Sequence, residues 1–310
     1  MAQNSLGTYK KSGIPVRQPG ASSFGPTVFV DATNGNDDNL GTRPDRAVAT
    51  IERGVVVAGN EGLDASVIVR RGFYQPASEI ALTSDHEGIR IVADRIMPVM
   101  AGADHKIYNI GGPDNIFSIN GADNVEIAGF RMWPEMLGTA VGINIGNTAG
   151  CVGTWIHDNA IINVEAANMA TAVRMGSSSY ELQYTLLEDN LFHCGGSQDG
   201  SNGIVDWTHS TRSMVRNNFF HIIGNNTTRY GIRISDAAAP RGMILDNHFV
   251  GNEVGVAAMV CKAIYAPSAF GGGDFMISGN KVVNIATPYS DLGAEAFGLN
   301  YIGVTTVTLT

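Results

Sequence analysis

Five short stretches decide how this chain folds: Trp155-Ile156-His157-Asp158-Asn159, Leu186-Leu187-Glu188-Asp189-Asn190, Met214-Val215-Arg216-Asn217-Asn218, Met243-Ile244-Leu245-Asp246-Asn247 and Met276-Ile277-Ser278-Gly279-Asn280. Each ends on asparagine, and the asparagines fall 31, 28, 29 and 33 residues apart. Three positions before each Asn stands an apolar residue (Ile156, Leu187, Val215, Ile244, Ile277). Two positions after it stands Ile161, Phe192, Phe220, Phe249 or Val282. A sixth copy, Val125-Glu126-Ile127-Ala128-Gly129, reads with Gly129 in the Asn place, 30 residues before Asn159. A further strand precedes the units: Gly142-Ile143-Asn144-Ile145, Ala172-Val173-Arg174-Met175, Gly203-Ile204-Val205-Asp206 and Gly231-Ile232-Arg233-Ile234. A fixed period with three short strands in each repeat means three parallel sheets wound into a coil. The predicted fold is therefore all-β, a right-handed single-stranded parallel β-helix. The column Asn159, Asn190, Asn218, Asn247, Asn280 is expected to form a structural ladder at the tight turn between the second and third sheets. There Asn tolerates the left-handed conformation, and its amide can bond to the copy one coil away.

Outward from this core, the coil pattern runs over residues 76–296. Residues 27–75 read as a cap on one end: Val28-Phe29-Val30-Asp31, an Asn/Asp/Gly loop, a short helix over about Val48–Ala58, and the strand Val67-Ile68-Val69 leading to Gly72-Phe73-Tyr74. A helix laid across the open end of a solenoid protects its exposed apolar side chains and unpaired backbone. Residues 1–26 are polar, rich in Gly, Ser and Pro, and read as an extended arm. The arm is either a disordered tail or a segment that docks on a neighbouring subunit through Tyr9, Ile14, Val16 and Phe24. Residues 297–310 are β-rich with almost no charge, so a partner subunit is expected to cover them.

Composition narrows the function classes. A net charge of −9 with only 20 Lys and Arg leaves no basic surface for nucleic acid. No run approaches the 18 apolar residues of a membrane span, and Met1–Gly25 has no apolar core of signal-peptide length. The expectation is a protein made in a cytoplasm without a cleaved signal. Cys151, Cys194 and Cys261 are widely spaced, with no CxxC and no histidine at zinc spacing, and read as reduced buried thiols.

The stretch VFVDATNGNDDNLGTRPDRAVATIERGV, followed by VIVRRGFY, resembles the N-terminal cap of the pectate-lyase-like β-helix superfamily, which includes many bacteriophage tailspike and virion surface proteins. The resemblance covers residues 27–75 by motif and 76–300 by repeat pattern. It is specific for fold and weak for activity, because one fold carries many functions. It implies a virion location and a homotrimer. Polysaccharide lyases and hydrolases of this fold carry their acids, bases and calcium ligands on outward positions of one sheet, usually the first.

In this chain those outward positions read as Asn144, Arg174, Val205, Arg233, Ala257 and Asn300, two arginines without a carboxylate stack. Glycoside hydrolysis needs two carboxylates and a lyase needs a base beside a calcium-binding acid. Asp206, with Arg174 and Arg233, is the weak catalytic candidate, and its alternation points it inward or to a strand end. Trp133, Trp207 and Tyr230 are carbohydrate-stacking candidates, read as exposed. His157, Glu188 and Arg216 read as an outward salt-bridge ladder on the second sheet, and His193 and His221 as an outward pair on the third. The Asp31–Asp38 cluster reads as a turn because it lacks EF-hand spacing. No cofactor or metal is expected.

Two functions follow. The preferred one is a non-enzymatic virion structural protein, a capsid decoration, cement or spike protein. Its partners are itself and, through the arm, a capsid or other virion protein. The alternative is a tailspike depolymerase acting on host polysaccharide, with a host-encoded β-helix enzyme behind both.

Overall fold

The computed structural model describes residues 9–11, 14–16, 25–94, 105–109, 115–134, 141–163, 171–194, 203–223, 229–234, 241–252, 261–266, 275–285, 288–290, 296–297 and 301–303. The coils are present as predicted. Among the described residues there are three long parallel sheets: the first with eight strands, the second with ten and the third with nine. Each strand pairs with its counterpart one coil away, as Ile156 with Leu187, then Val215, Ile244 and Ile277 along the second sheet. A small three-stranded sheet of Cys151–Val152, Leu182–Gln183 and Ser210–Thr211 joins the first sheet to the second.

The apolar positions of the repeat face inward and form one continuous core. On the third sheet the inner column stacks Phe192 on Phe220 at 4.8 Å and Phe220 on Phe249 at 4.7 Å. Identical side chains meet because parallel in-register pairing puts equivalent residues about 4.8 Å apart. Such offset stacks add to the burial they bring.

The asparagine ladder runs through the turn between the second and third sheets. The Oδ1 of Asn190 accepts from the backbone N–H and the amide of Asn159, at 3.1 and 3.2 Å. Asn218, Asn247 and Asn280 repeat the contact at 3.0 Å each. Each amide also bonds to a backbone carbonyl of the preceding coil, as Asn218 to Leu187 at 3.0 Å. Two details of the sequence reading change. The left-handed residue is the one before each ladder Asn: Asp158, Asp189, Asn217 and Asp246 have φ of 53 to 55°, and Gly279 has 71°. Pairing of Ala128 with His157 aligns Gly129 with left-handed Asp158, so Phe130 stands in the Asn place. The short polar side chain at the strained position, and not the ladder amide, is what tolerates φ > 0 there.

The coil stack starts earlier than the repeat suggested. Thr27–Val30 already pairs with Ser66–Val69 in the second sheet, and Gly72–Tyr74 opens the third. The capping helix α1 spans Ile51–Glu61, three residues later than expected. Asp37 fixes its start, accepting from the backbone N–H of Ala49 and Thr50, while Thr50 accepts from Arg53 N–H. Gly54 permits the close approach: a Cβ there would lie 2.6 Å from Val30 Cγ2. Asp31 bonds to the N–H of Thr33 and Asn34, so both acids serve the cap loop. At the other end, Tyr301–Gly303 pairs with Lys281–Val283, which extends the third sheet into the charge-poor terminus. In the N-terminal segment, Tyr9–Lys11 and Ile14–Val16 form an antiparallel pair.

Candidate functional site

The outer face of the first sheet carries a polar column set by register: Ser118, Asn144, Arg174, Asp206, Arg233 and Tyr265 on successive coils. This corrects the expected parity. Val205 faces inward in line with Ile143, Val173 and Ile232, and Asp206 takes the outward place between the two arginines. The run Gly203–Trp207 is buried throughout, so alternation of polarity could not reveal its phase. Ala257 and Asn300 lie outside the described residues.

Asp206 is only 4% exposed. Its Oδ1 lies 3.5 Å from Arg233 Nη1 and accepts from Gly203 N–H at 3.2 Å. Burial pushes its carboxyl up, and the bond from Gly203 and the charges of Arg233 and Arg174 counter this only in part. Asn144, 3% exposed, has no hydrogen-bond partner for its side-chain oxygen among the described residues. At the far end of the column, Tyr265 stacks on Tyr230 with ring centroids 4.3 Å apart, and Lys262 Nζ stands 4.7 Å from the Tyr265 ring. The column thus sets a carboxyl, raised above its ordinary value, between two arginines, with a pair of aromatic rings further along.

The three aromatic candidates are not brought together. Trp207 is fully buried, with its indole N–H on the Ser210 carbonyl at 2.8 Å and its ring edge-on to Phe275. It shares the inward parity of Val205 and cannot meet a sugar. Tyr230, 9% exposed, is covered rather than free-standing. Trp133, on the third sheet, is partly exposed beside Arg131, whose guanidinium carbon lies 5.6 Å from the ring centroid.

The second sheet holds a charged network that sequence reasoning missed. Arg90 forks onto Glu126 at 2.7 and 3.1 Å. His157 bridges Glu126 at 3.3 Å and Asp158 at 2.7 Å, with Trp155 stacked on its ring at 3.9 Å. Burial opposes both charges, yet bonds from His157 and Arg90 hold the Glu126 carboxyl down at about 2. Bonds from Asp158 and Glu126 likewise raise His157 to about 8. The expected ladder is therefore split: Glu188 pairs with Arg216 at 2.5 Å, while His157 turns to the preceding coil. Arg90 could have been found only by extending the repeat two coils upstream of the first ladder Asn.

Beside these charges the same outer face is apolar. Trp155, Leu186, Met214, Met243 and Met276 follow one another in register, with Leu245 alongside. Leu186 and Met214 cover one another, but Met276 is 49% exposed. On the third sheet, His193 and His221 stand outward on adjacent strands with their Nδ1 atoms 2.8 Å apart. The three cysteines are buried thiols, and burial pushes the Cys151 thiol up to about 11. Among the described residues, no three metal-ligating side chains converge.

No family model and no curated protein matches the chain. Solved structures do. Rice weevil pectin methyl esterase aligns with a TM-score of 0.52 at 12% identity, over 84% of this chain and 87% of that one. Aspergillus niger pectin methylesterase gives 0.52 at 11% identity, over 92% and 87%. The Dettilon tailspike protein aligns at 0.32 and 10% identity, over 90% and 68%, and carries no weight. At these identities the likeness concerns the backbone alone. Three in-register parallel sheets, an asparagine ladder and a helical cap make this a pectate-lyase-like right-handed parallel β-helix.

Proposed function

We propose that the chain is a non-enzymatic structural protein of a bacteriophage particle, a capsid decoration, cement or spike protein, in which three β-helices stand side by side. The observation that carries this reading is the apolar stripe Trp155, Leu186, Met214, Met243 and Met276 along the outer face of the second sheet. Leu186 and Met214 are already buried against their neighbours, Trp155 and Met243 are half-buried and Met276 is exposed. Packing against further copies of the same rigid rod would cover the Met243–Met276 end of the stripe. The carboxylates point the same way. Glycoside hydrolysis needs two carboxyl groups roughly 5–10 Å apart with room for a water or a sugar between them. Here Glu126 is held by Arg90 and His157, Glu188 by Arg216, and Asp206 stands against Arg233. The virion location and the arm's contact with a capsid protein rest on the sequence resemblance.

Light scattering of the purified chain tests the assembly: a trimer is expected, and Met243→Lys with Met276→Lys should release monomers of unchanged circular dichroism. A monomeric native protein contradicts the reading. The alternative, a depolymerase of host polysaccharide, is favoured by one observation, the buried Asp206, its carboxyl pushed up by burial, between Arg174 and Arg233. Incubation with host polysaccharide decides it. New reducing ends or unsaturated-uronate absorbance, lost in Asp206→Asn, would replace the structural reading.

A further inference from the structure

We infer that His193 and His221 form a chelating site for a divalent transition-metal ion, copper(II) or nickel(II) ahead of zinc, on the outer face of the third sheet. The two residues are register partners on the strands Leu191–Cys194 and Phe219–Ile223. Their rings lie 4.6 Å apart at 57°, and Nδ1 faces Nδ1 at 2.8 Å. In the absence of metal this contact makes one ring the donor and the other the acceptor. The register thus holds both nitrogens within reach of one ion, and a turn of each ring brings its Nδ1 lone pair off the N···N line and onto that ion. Both rings are partly exposed, so the side away from the sheet is open to water.

The distance selects the metal. With bonds of ~2.0–2.1 Å from a metal to imidazole nitrogen, two nitrogens 2.8 Å apart subtend roughly a right angle at the ion. That is the angle between neighbouring positions in the square-planar or tetragonal geometry of copper(II) and nickel(II), and it falls well short of a tetrahedral zinc site. Binding is a ligand exchange. The proton shared at Nδ1 relocates to Nε2 of the same ring through solvent, both Nδ1 lone pairs bond to the ion, and two of its waters leave. The other positions keep water. Ile162 and Val250 flank the pair in its column, so no charge stands beside it there. His248 is engaged elsewhere, edge-on to Phe219 at 5.1 Å, and serves as the control.

The test is titration of the intact chain with copper(II) chloride, read by calorimetry and electron paramagnetic resonance. One site per chain is expected, with hyperfine structure from two imidazole nitrogens. His193→Gln and His221→Gln should each weaken it more than about tenfold, since each leaves a single ring, and His248→Gln should leave it unchanged. Native affinity retained in either variant, or no stoichiometric binding by the native chain, overturns the assignment. Should a variant misfold, the native spectrum still decides: fewer than two coordinated imidazoles overturns it.

Discussion

Asn218 shows what a single side chain contributes here. Its Oδ1 accepts from two groups of Asn190, and its amide donates to Leu187 O, Arg216 O and Asn247 Oδ1. Removing it strands several buried backbone groups, each worth about 1–3 kcal/mol when left unpaired. Asn218→Ala should therefore cost about 3 kcal/mol or more in urea unfolding, and a loss below 1 kcal/mol would contradict the ladder. Residues also set the pH response. Glu126, held at about 2 in the fold, contributes stability that is full above its unfolded value and is lost as pH falls toward 2. His157, raised to about 8, contributes stability that is full below its unfolded value and is lost as pH rises through 8. The network is thus strongest between about pH 4.5 and 6.5, the unfolded values of the two groups. Melting temperature should peak in that window, and His157→Phe should flatten its alkaline side. An unchanged alkaline slope would remove His157 from the account.

Elements show where pattern reading works. The third sheet alternates cleanly, as in Leu191-Phe192-His193-Cys194, so its inner aromatic column and outer histidines were both legible. The first sheet was not, because both faces of Gly203–Trp207 are covered and period two disappears. One phase error there moved Asp206 and Trp207 to the wrong faces together, as a single-residue slip must. The Glu126 network escaped notice for a different reason: with Phe130 in the ladder place, taking Gly129 for the Asn position set the coil one residue out of register and put Glu126 opposite inward Ile156 instead of Trp155. The corrected phase makes a prediction. Trp207→Ala should cost about 3–5 kcal/mol as a core truncation and leave any glycan affinity of the folded fraction untouched. Selective loss of glycan binding at unchanged stability would restore the exposed reading. Phe220→Ala, which removes the middle ring of the Phe192–Phe220–Phe249 stack, should cost about as much.

For the whole molecule, stability is a sum over neighbouring coils, because each coil touches only the next. One end is closed by α1 and the other continues to Tyr301–Gly303. Hydrogen exchange should then be slowest around Asn190 to Asn247 and faster toward Lys281–Val283; uniform protection would indicate that the far end is as well sealed as the near one.

The spacing of the ladder has an engineering meaning. Successive ladder asparagines are separated by 31, 28, 29 and 33 residues, yet every one of them meets its neighbour at 3.0 to 3.2 Å. All the variation in length is taken up between the strands, never within them. Each coil is therefore a mounting rail of fixed gauge, whatever number of residues joins its strands. A foreign peptide spliced between two strands would be anchored at a set height along the rod, and the anchors of peptides on successive coils would stand about 4.8 Å apart.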